Sequence, residues 1–280
     1  MRARLACADF TFPLLEHHAS LQLIQLMGFQ GVDIGLFEGR SHIQPSGEFA
    51  DPVRSGQRLE HRLSNLGLEV ADIFLQLDTD FVSFAINQPD DTRRRHAREQ
   101  FLRALDYAAA CGSRHVTTLP GVRFPEESHR DSLDRVKEEL AWRVERAQRL
   151  RLEFSVEAHV GSIVDTPRKA RALARGVDGL TLTLDYTHFT RQGVTDEEIE
   201  PLVEHASHFH FRGARQNRLQ ASMAENTIDY ERVLTRMEEV GYPGWHAVEY
   251  VWSDWEHCNE CDNVSETIIL RDLIRKHCTR

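Results

Sequence analysis

Eight short apolar or alternating runs recur along the chain, with longer stretches of helical spacing between them, and this alternation constrains the fold more than any other feature. The runs are Leu5 to Phe10, Val32 to Phe37, Glu69 to Gln76, His115 to Leu119, Glu153 to Ala158, Leu180 to Asp185, His208 to Arg212 and His246 to Tyr250. Strands separated by helices read as βα units and a parallel sheet. Eight units in 280 residues predict an α/β fold, a (β/α)8 TIM barrel whose single domain spans residues 1–280. A doubly wound open sheet is the alternative, but no GxGxxG follows a strand.

Helices are expected at Ser20 to Met27, Gln57 to Leu66, Thr92 to Cys111, Asp131 to Leu150, Thr166 to Arg175, Asp196 to Ala206, Tyr230 to Val240 and Ser265 to His277. Gly28, Gly67, Gly112, Gly176 and Gly241 suit the position just past a helix end, Asp165 and Asp229 suit N-caps, and Pro167 suits a first turn. Glu38 to Pro52 and Asp78 to Asp91 are longer than ordinary connections and follow strands. They are candidate lids over the C-terminal face, where barrel enzymes keep their sites.

With 41% hydrophobic residues the chain can bury a large core. Its 34 basic and 44 acidic residues give a formal charge of -10, the wrong sign for a nucleic-acid partner. Arg93 to Arg95 is flanked by Asp90, Asp91 and Glu99, which reads as a solvated helix face. The opening MRARLACADFTFPLLEHH has no signal-peptide core, and no apolar run reaches membrane-spanning length, so no membrane partner and a cytoplasmic location are expected. Cys7, Cys111, Cys258, Cys261 and Cys278 are an odd set, unlike a disulfide framework. The Cys258/Cys261 pair beside His257 lacks the second ligand pair that a structural zinc site needs.

The informative departure lies in the later strands. EFSVEAH alternates Phe154, Val156 and Ala158 with Ser155, Glu157 and His159; LTLTLD alternates leucines with Thr181, Thr183 and Asp185; HFHFR alternates Phe209 and Phe211 with His208, His210 and Arg212. Side chains switch faces at every strand residue, so the apolar faces should meet the helices and the polar faces should converge inside the barrel mouth. WHAVEYVW adds Glu249 at the tip of the eighth strand. One acid at a strand end is ordinarily a cap or a surface ion pair. Two Glu, one Asp and one His from four successive strands form instead an oxygen and nitrogen donor set without thiolate, which suits one divalent metal ion. Mn²⁺ is the first choice, with Mg²⁺, Co²⁺ or Zn²⁺ as alternatives. Without a cation, three clustered carboxylates could not all stay ionised.

At these residues the chain resembles the sugar phosphate isomerase/epimerase superfamily, the xylose-isomerase-like TIM barrels that include tagatose 3-epimerase-like, hydroxypyruvate isomerase-like and inosose dehydratase-like enzymes. The likeness runs from GVDIGLF through SVEAH, LTLDYTH, HFHFRGA and ENTIDY to GYPGWHAVEY. Gly213 and Ala214 stand where many relatives continue with an aspartate, and ENTIDY lacks the glycines that often precede this motif. The resemblance implies that Glu157, Asp185, His210 and Glu249 ligate the metal, that Glu157 and Glu249 act as base and acid on opposite faces of the substrate, and that His188 and Arg212 contact substrate. His159, two residues beyond Glu157 on the same face, is a further candidate to touch substrate.

The expected function is a divalent-metal-dependent sugar or sugar phosphate isomerase/epimerase, working by proton abstraction next to a carbonyl through a metal-stabilised enediolate. The alternative is a dehydratase or lyase acting on a keto-sugar or inosose, which needs only a leaving group β to the acidified carbon. A DNA phosphodiesterase is disfavoured by the acidic charge, and a non-catalytic sugar-binding barrel by the intact ligand set. The partner is a small-molecule carbohydrate, and relatives are often dimers or tetramers. Trp252 and Trp255, after the eighth strand, are candidates to reach the pocket; Phe10 and Phe12 are candidates for an apolar wall; His208 and Trp142 read as packing.

Overall fold

Each of the eight runs forms a strand in the computed structural model, which describes residues 3–278. The strands are β1 (Leu5–Ala8), β2 (Gly31–Phe37), β3 (Glu69–Gln76), β4 (His115–Thr118), β5 (Glu153–Glu157), β6 (Thr181–Asp185), β7 (Ala206–Phe211) and β8 (His246–Val248). Every strand pairs in parallel with its neighbours in sequence, and β8 pairs with β1 to close the barrel. The helices are α1 (His17–Leu26), α2 (Pro45–Glu48), α3 (Pro52–Ser64), α4 (Asp91–Ala110), α5 (His129–Arg149), α6 (Pro167–Gly176), α7 (Thr187–Thr190), α8 (Asp196–Ile199), α9 (Tyr230–Val240) and α10 (Asn263–Cys278). None of them is long and apolar enough to cross a membrane.

Three local expectations are corrected. The helix expected over 196–206 is only the single turn α8, followed by a 3-10 turn over Glu200–His205, and Ala206 already opens β7. Pro201 explains the break, because its ring would clash with the carbonyl four residues back if the α-helix continued. Thr166, not Asp165, caps α6 by accepting from the Lys169 N–H, while Asp165 pairs with the Lys169 ammonium at 2.6 Å. Gly176 is the last residue of α6 rather than the one beyond it, since the chain passes straight into extended Val177. Asp229 does cap α9, accepting from the Arg232 N–H at 3.1 Å, and Gly28, Gly67, Gly112 and Gly241 take positive φ past helix ends.

The outward strand faces behave as their period predicts. Val32, Ile34, Phe154, Val156, Leu182, Leu184, Phe209 and Phe211 are buried in one core with Leu59, Phe101, Leu140, Leu173 and Leu234 from the surrounding helices. Each such side chain contributes ~1.5–3 kcal/mol of transfer free energy. The barrel interior is different. At its N-terminal end Trp245 packs among Ala6, Ala71 and Ala247, and β2 must begin with Gly31, because a Cβ there would lie 2.7 Å from the indole.

Above that plug the interior is polar, where many barrels stack branched apolar residues. The His115 ring joins Asp72 Oδ1 at 2.7 Å and Ser207 Oγ at 2.8 Å, and Thr117, Ser155 and Thr183 bond one another. Buried polar groups cost free energy unless each has a partner, so these chains of contacts are what the polar strand faces require. They also fix the inward direction for the residues one step further along β5, β6 and β7.

Candidate active site

Those next inward residues are Glu157, Asp185 and His210, and Glu249 joins them from just past the last residue of β8. All four are 5% exposed or less. His210 Nδ1 lies 2.8 Å from Glu157 Oε1 and 3.4 Å from Glu249 Oε2. Potential ligand atoms of Glu157, His210 and Glu249 lie within 4.8 Å of one another, and so do those of Glu157, Asp185 and His188. Glu157 belongs to both groups. Asp185 is turned toward Arg212, whose Nη2 donates to Asp185 Oδ2 at 2.6 Å, while Asp185 Oδ1 accepts the Thr187 N–H that opens α7.

The electrostatics of this cluster follow from burial. Loss of water pushes the Glu249 carboxyl up to about 8; the nearby Glu157 and Asp185 charges add to that effect, and His210 and Arg212 oppose it. Burial also pushes Asp185 up, but Arg212 and then His188 outweigh it and hold this carboxyl at about 2. Burial disfavours a charged His210, yet Glu249, Asp33 and Glu157 together raise its pKa well above the ordinary imidazole value. A carboxyl that burial holds protonated, beside two other acids and an imidazole, is a donor set that fits a small divalent cation.

Two residues of this centre were not among the expected site residues. Asp33, in the middle of β2, is fully buried, and its Oδ2 lies 2.7 Å from His208 Nε2 and 3.3 Å from His210 Nε2. Burial raises the Asp33 carboxyl, but the two imidazoles more than offset it and drive it well below the usual range. His208 is buried packing, as expected, and its partner is this aspartate. Asp33, His208 and His210 form a third group of close potential ligand atoms, directly beneath the first.

A cavity opens above the carboxylates. Glu157, Glu249, His159, His188 and Arg212 face it from below, and Phe10, Phe37, Phe74, Phe81, Trp252 and Trp255 supply aromatic walls. Phe12 is not among them and packs in the outer core. Both expected lids contribute, Arg40 from the first and Phe81 from the second, and Phe81 meets the His159 ring at 4.9 Å and Trp255 at 5.9 Å. Trp255 also approaches His188, at 6.5 Å between centroids. Its segment is anchored by Arg191, which forms a bidentate pair with Glu256 at 2.6 and 2.9 Å. Arg40 lies over Phe37 and Phe81 and bonds Gln76.

Other sequence features lie away from this cavity. Trp142 packs against Phe101 and three arginines. All five cysteines are free, and Cys258 and Cys261 join no group of close potential ligands among the described residues.

Residues 21–273 match the family of xylose isomerase-like TIM barrels. The chain belongs to this family. No curated protein sequence matches it. Among solved structures, this xylose isomerase-like barrel resembles a 3-keto-D-glucoside 4-epimerase from E. coli, with 14% identity, a TM-score of 0.73, and 98% of this chain and 99% of that one covered. It also resembles D-psicose 3-epimerase from Clostridium cellulolyticum, with 13% identity, a TM-score of 0.76, and 98% and 99% covered. A xylose isomerase-like barrel from Mycobacterium smegmatis, solved in complex with magnesium, has 16% identity and a TM-score of 0.71, with 94% and 88% covered. At these identities the likeness is one of fold.

Proposed function

We propose that this chain, one barrel domain over residues 1–280, is a divalent-metal-dependent sugar isomerase or epimerase that moves a proton on the carbon beside a carbonyl. The observation that carries the reading is that potential ligand atoms of Glu157, His210 and Glu249, and those of Glu157, Asp185 and His188, cluster beneath one aromatic-walled cavity. These four residues would hold the cation. Bound there, a divalent ion would polarise a substrate carbonyl and acidify the adjacent C–H. Mn²⁺ is the proposed ion, with Mg²⁺, Co²⁺ and Zn²⁺ as alternatives; one structural relative was solved with magnesium.

The rest is work for side chains. Glu157 takes the proton from carbon, leaving an enediolate, and Glu249 hands a proton back. Return to the opposite face of the same carbon gives the epimer; return to the neighbouring carbon interconverts ketose and aldose. Arg212 and His188, both in the cavity wall, supply N–H groups toward the developing negative oxygen. The aromatic side chains exclude water and offer stacking faces to a sugar ring, and the names of the structural relatives, epimerases acting on a keto-glucoside and on psicose, accord with a carbohydrate substrate. The site of action is proposed to be the cytoplasm.

Product analysis tests this proposal. The metal-loaded protein should convert one of a panel of free ketoses, inososes and 3-oxo sugars into a product of unchanged composition, followed by ¹³C NMR. An unsaturated or cleaved product would replace it with the lyase reading, and no conversion of any member while metal is bound would count against both.

A further inference from the structure

Arg40 lines the cavity at its rim and forms no ion pair among the described residues. It is exposed, in the connection that follows β2, and the turn that carries it is well anchored. Ser41 Oγ accepts the Phe37 N–H at 3.0 Å and lies 2.6 Å from the carbonyl oxygens of both Gly35 and Ile43. Glu38 accepts from the Ser46 N–H at 2.9 Å and from its hydroxyl at 2.6 Å, and Gly39 supplies a left-handed residue at φ 70°. The guanidinium carbon of Arg40 stands 5.7 Å from the ring centroids of both Phe37 and Phe81, and one N–H group donates to the neutral Gln76 side chain. Asp78, the nearby carboxylate, accepts instead from the Thr79 N–H at 2.7 Å.

A guanidinium carries five N–H donors and no acceptor, in a fork that matches a carboxylate or a phosphate. Two aromatic faces and one amide oxygen leave most of that fork unused. The other arginine of the cavity wall, Arg212, is taken up by Asp185 at 2.6 Å. The two also stand on opposite sides: Arg40 follows β2 and Arg212 follows β7, and in a closed barrel of eight strands β2 and β3 face β6 and β7. A line of rings joins the acidic cluster to Arg40, since Phe74 lies 6.0 Å from the His210 ring and Phe37 lies 5.1 Å from Phe74.

We propose that Arg40 binds an anionic group, a carboxylate or a phosphate, on the end of the substrate remote from Glu157 and Glu249. A sugar lying along the Phe74 and Phe37 rings has its carbonyl end over the carboxylates and its far end at the guanidinium. The inference rests on the proposed function in taking this cavity as the substrate site, and it narrows the substrate from sugars in general to acidic sugars.

Titration calorimetry on the metal-loaded protein tests this with ketohexoses in three forms: the neutral sugar, its 6-phosphate and its 6-carboxylate. At least one acidic form should bind about 10-fold more tightly than its neutral parent, the scale of one charge-assisted contact, and the preference should shrink at high salt. Whichever acidic form binds more tightly identifies the group. Arg40→Gln should bring the ratio of acidic to neutral affinity close to one. Arg40→Lys keeps the charge without the fork and should restore part of the preference, which a lost packing role would not. Equal affinities for neutral and acidic forms, a preference that survives Arg40→Gln, or one that lysine does not partly restore, overturns the proposal. Binding of no form overturns it together with the reading of this cavity as the substrate site. An Arg40-dependent preference in a protein that catalyses no proton transfer contradicts only the proposed reaction.

Discussion

His210 is held from both sides: its Nε2 lies 3.3 Å from Asp33 Oδ2, while its Nδ1 faces Glu157 at 2.8 Å and Glu249 at 3.4 Å. An Nε2–H directed at Asp33 frees Nδ1 for a cation, the arrangement by which carboxylates commonly orient ligating imidazoles. Asp33→Asn should therefore weaken Mn²⁺ binding about 10–100-fold, measured by titration calorimetry on protein that remains folded. Unchanged affinity would remove Asp33 from the site.

Glu249 sets a pH window. Its carboxyl is raised from 4.5 to about 8, so the fold favours its protonated form. Stability of the metal-free protein should accordingly fall as pH rises from about 4.5 through 8, because the unfolded chain ionises first. A cation must expel that proton, so metal affinity should rise over the same window, by ~10-fold per pH unit or more. Melting temperatures and metal titrations at several pH values check both trends, and flat profiles would contradict the assignment.

The Arg191–Glu256 pair should act through Trp255. Glu256 and His257 both adopt left-handed backbone, at φ 55° and 59°, which ordinarily costs free energy and here is held by the bidentate contact. Glu256→Gln should loosen the aromatic wall and raise KM about fivefold, the equivalent of ~1 kcal/mol, with kcat little changed.

Gly213, beside Arg212, is a packing constraint. A Cβ there would lie 2.4 Å from the Ala221 carbonyl oxygen and 2.9 Å from the Tyr250 hydroxyl, which itself bonds the Gly213 N–H at 3.0 Å. Gly213→Ala should destabilise the fold by ~1–3 kcal/mol, read from the urea midpoint. The departure of this segment from the family pattern thus has a local reason.

The barrel was legible because its signals are local. Alternation in LTLTLD and HFHFR states which residues face inward, and Glu157, Asp185, His210 and Glu249 follow from strand ends. Asp33 was not legible. In GVDIGLF it is flanked by apolar residues, as in a strand buried on both faces, and its partner His208 is 175 positions away. The Asp72–His115 contact spans 43 positions and has the same character. Register irregularities at Val32/Asp33 and Leu182/Thr183 shift which residues face inward, and no composition or period announces them.

The central claim is proton transfer at the carbon beside a carbonyl. Its most direct test is solvent isotope uptake: metal-loaded protein and a panel of ketoses and keto-sugars in heavy water, followed by NMR, with Glu249→Gln as the control. The account predicts deuterium at the carbon next to the carbonyl for at least one substrate, and none with the variant. Unlabelled substrate throughout the panel, with metal demonstrably bound, would contradict it.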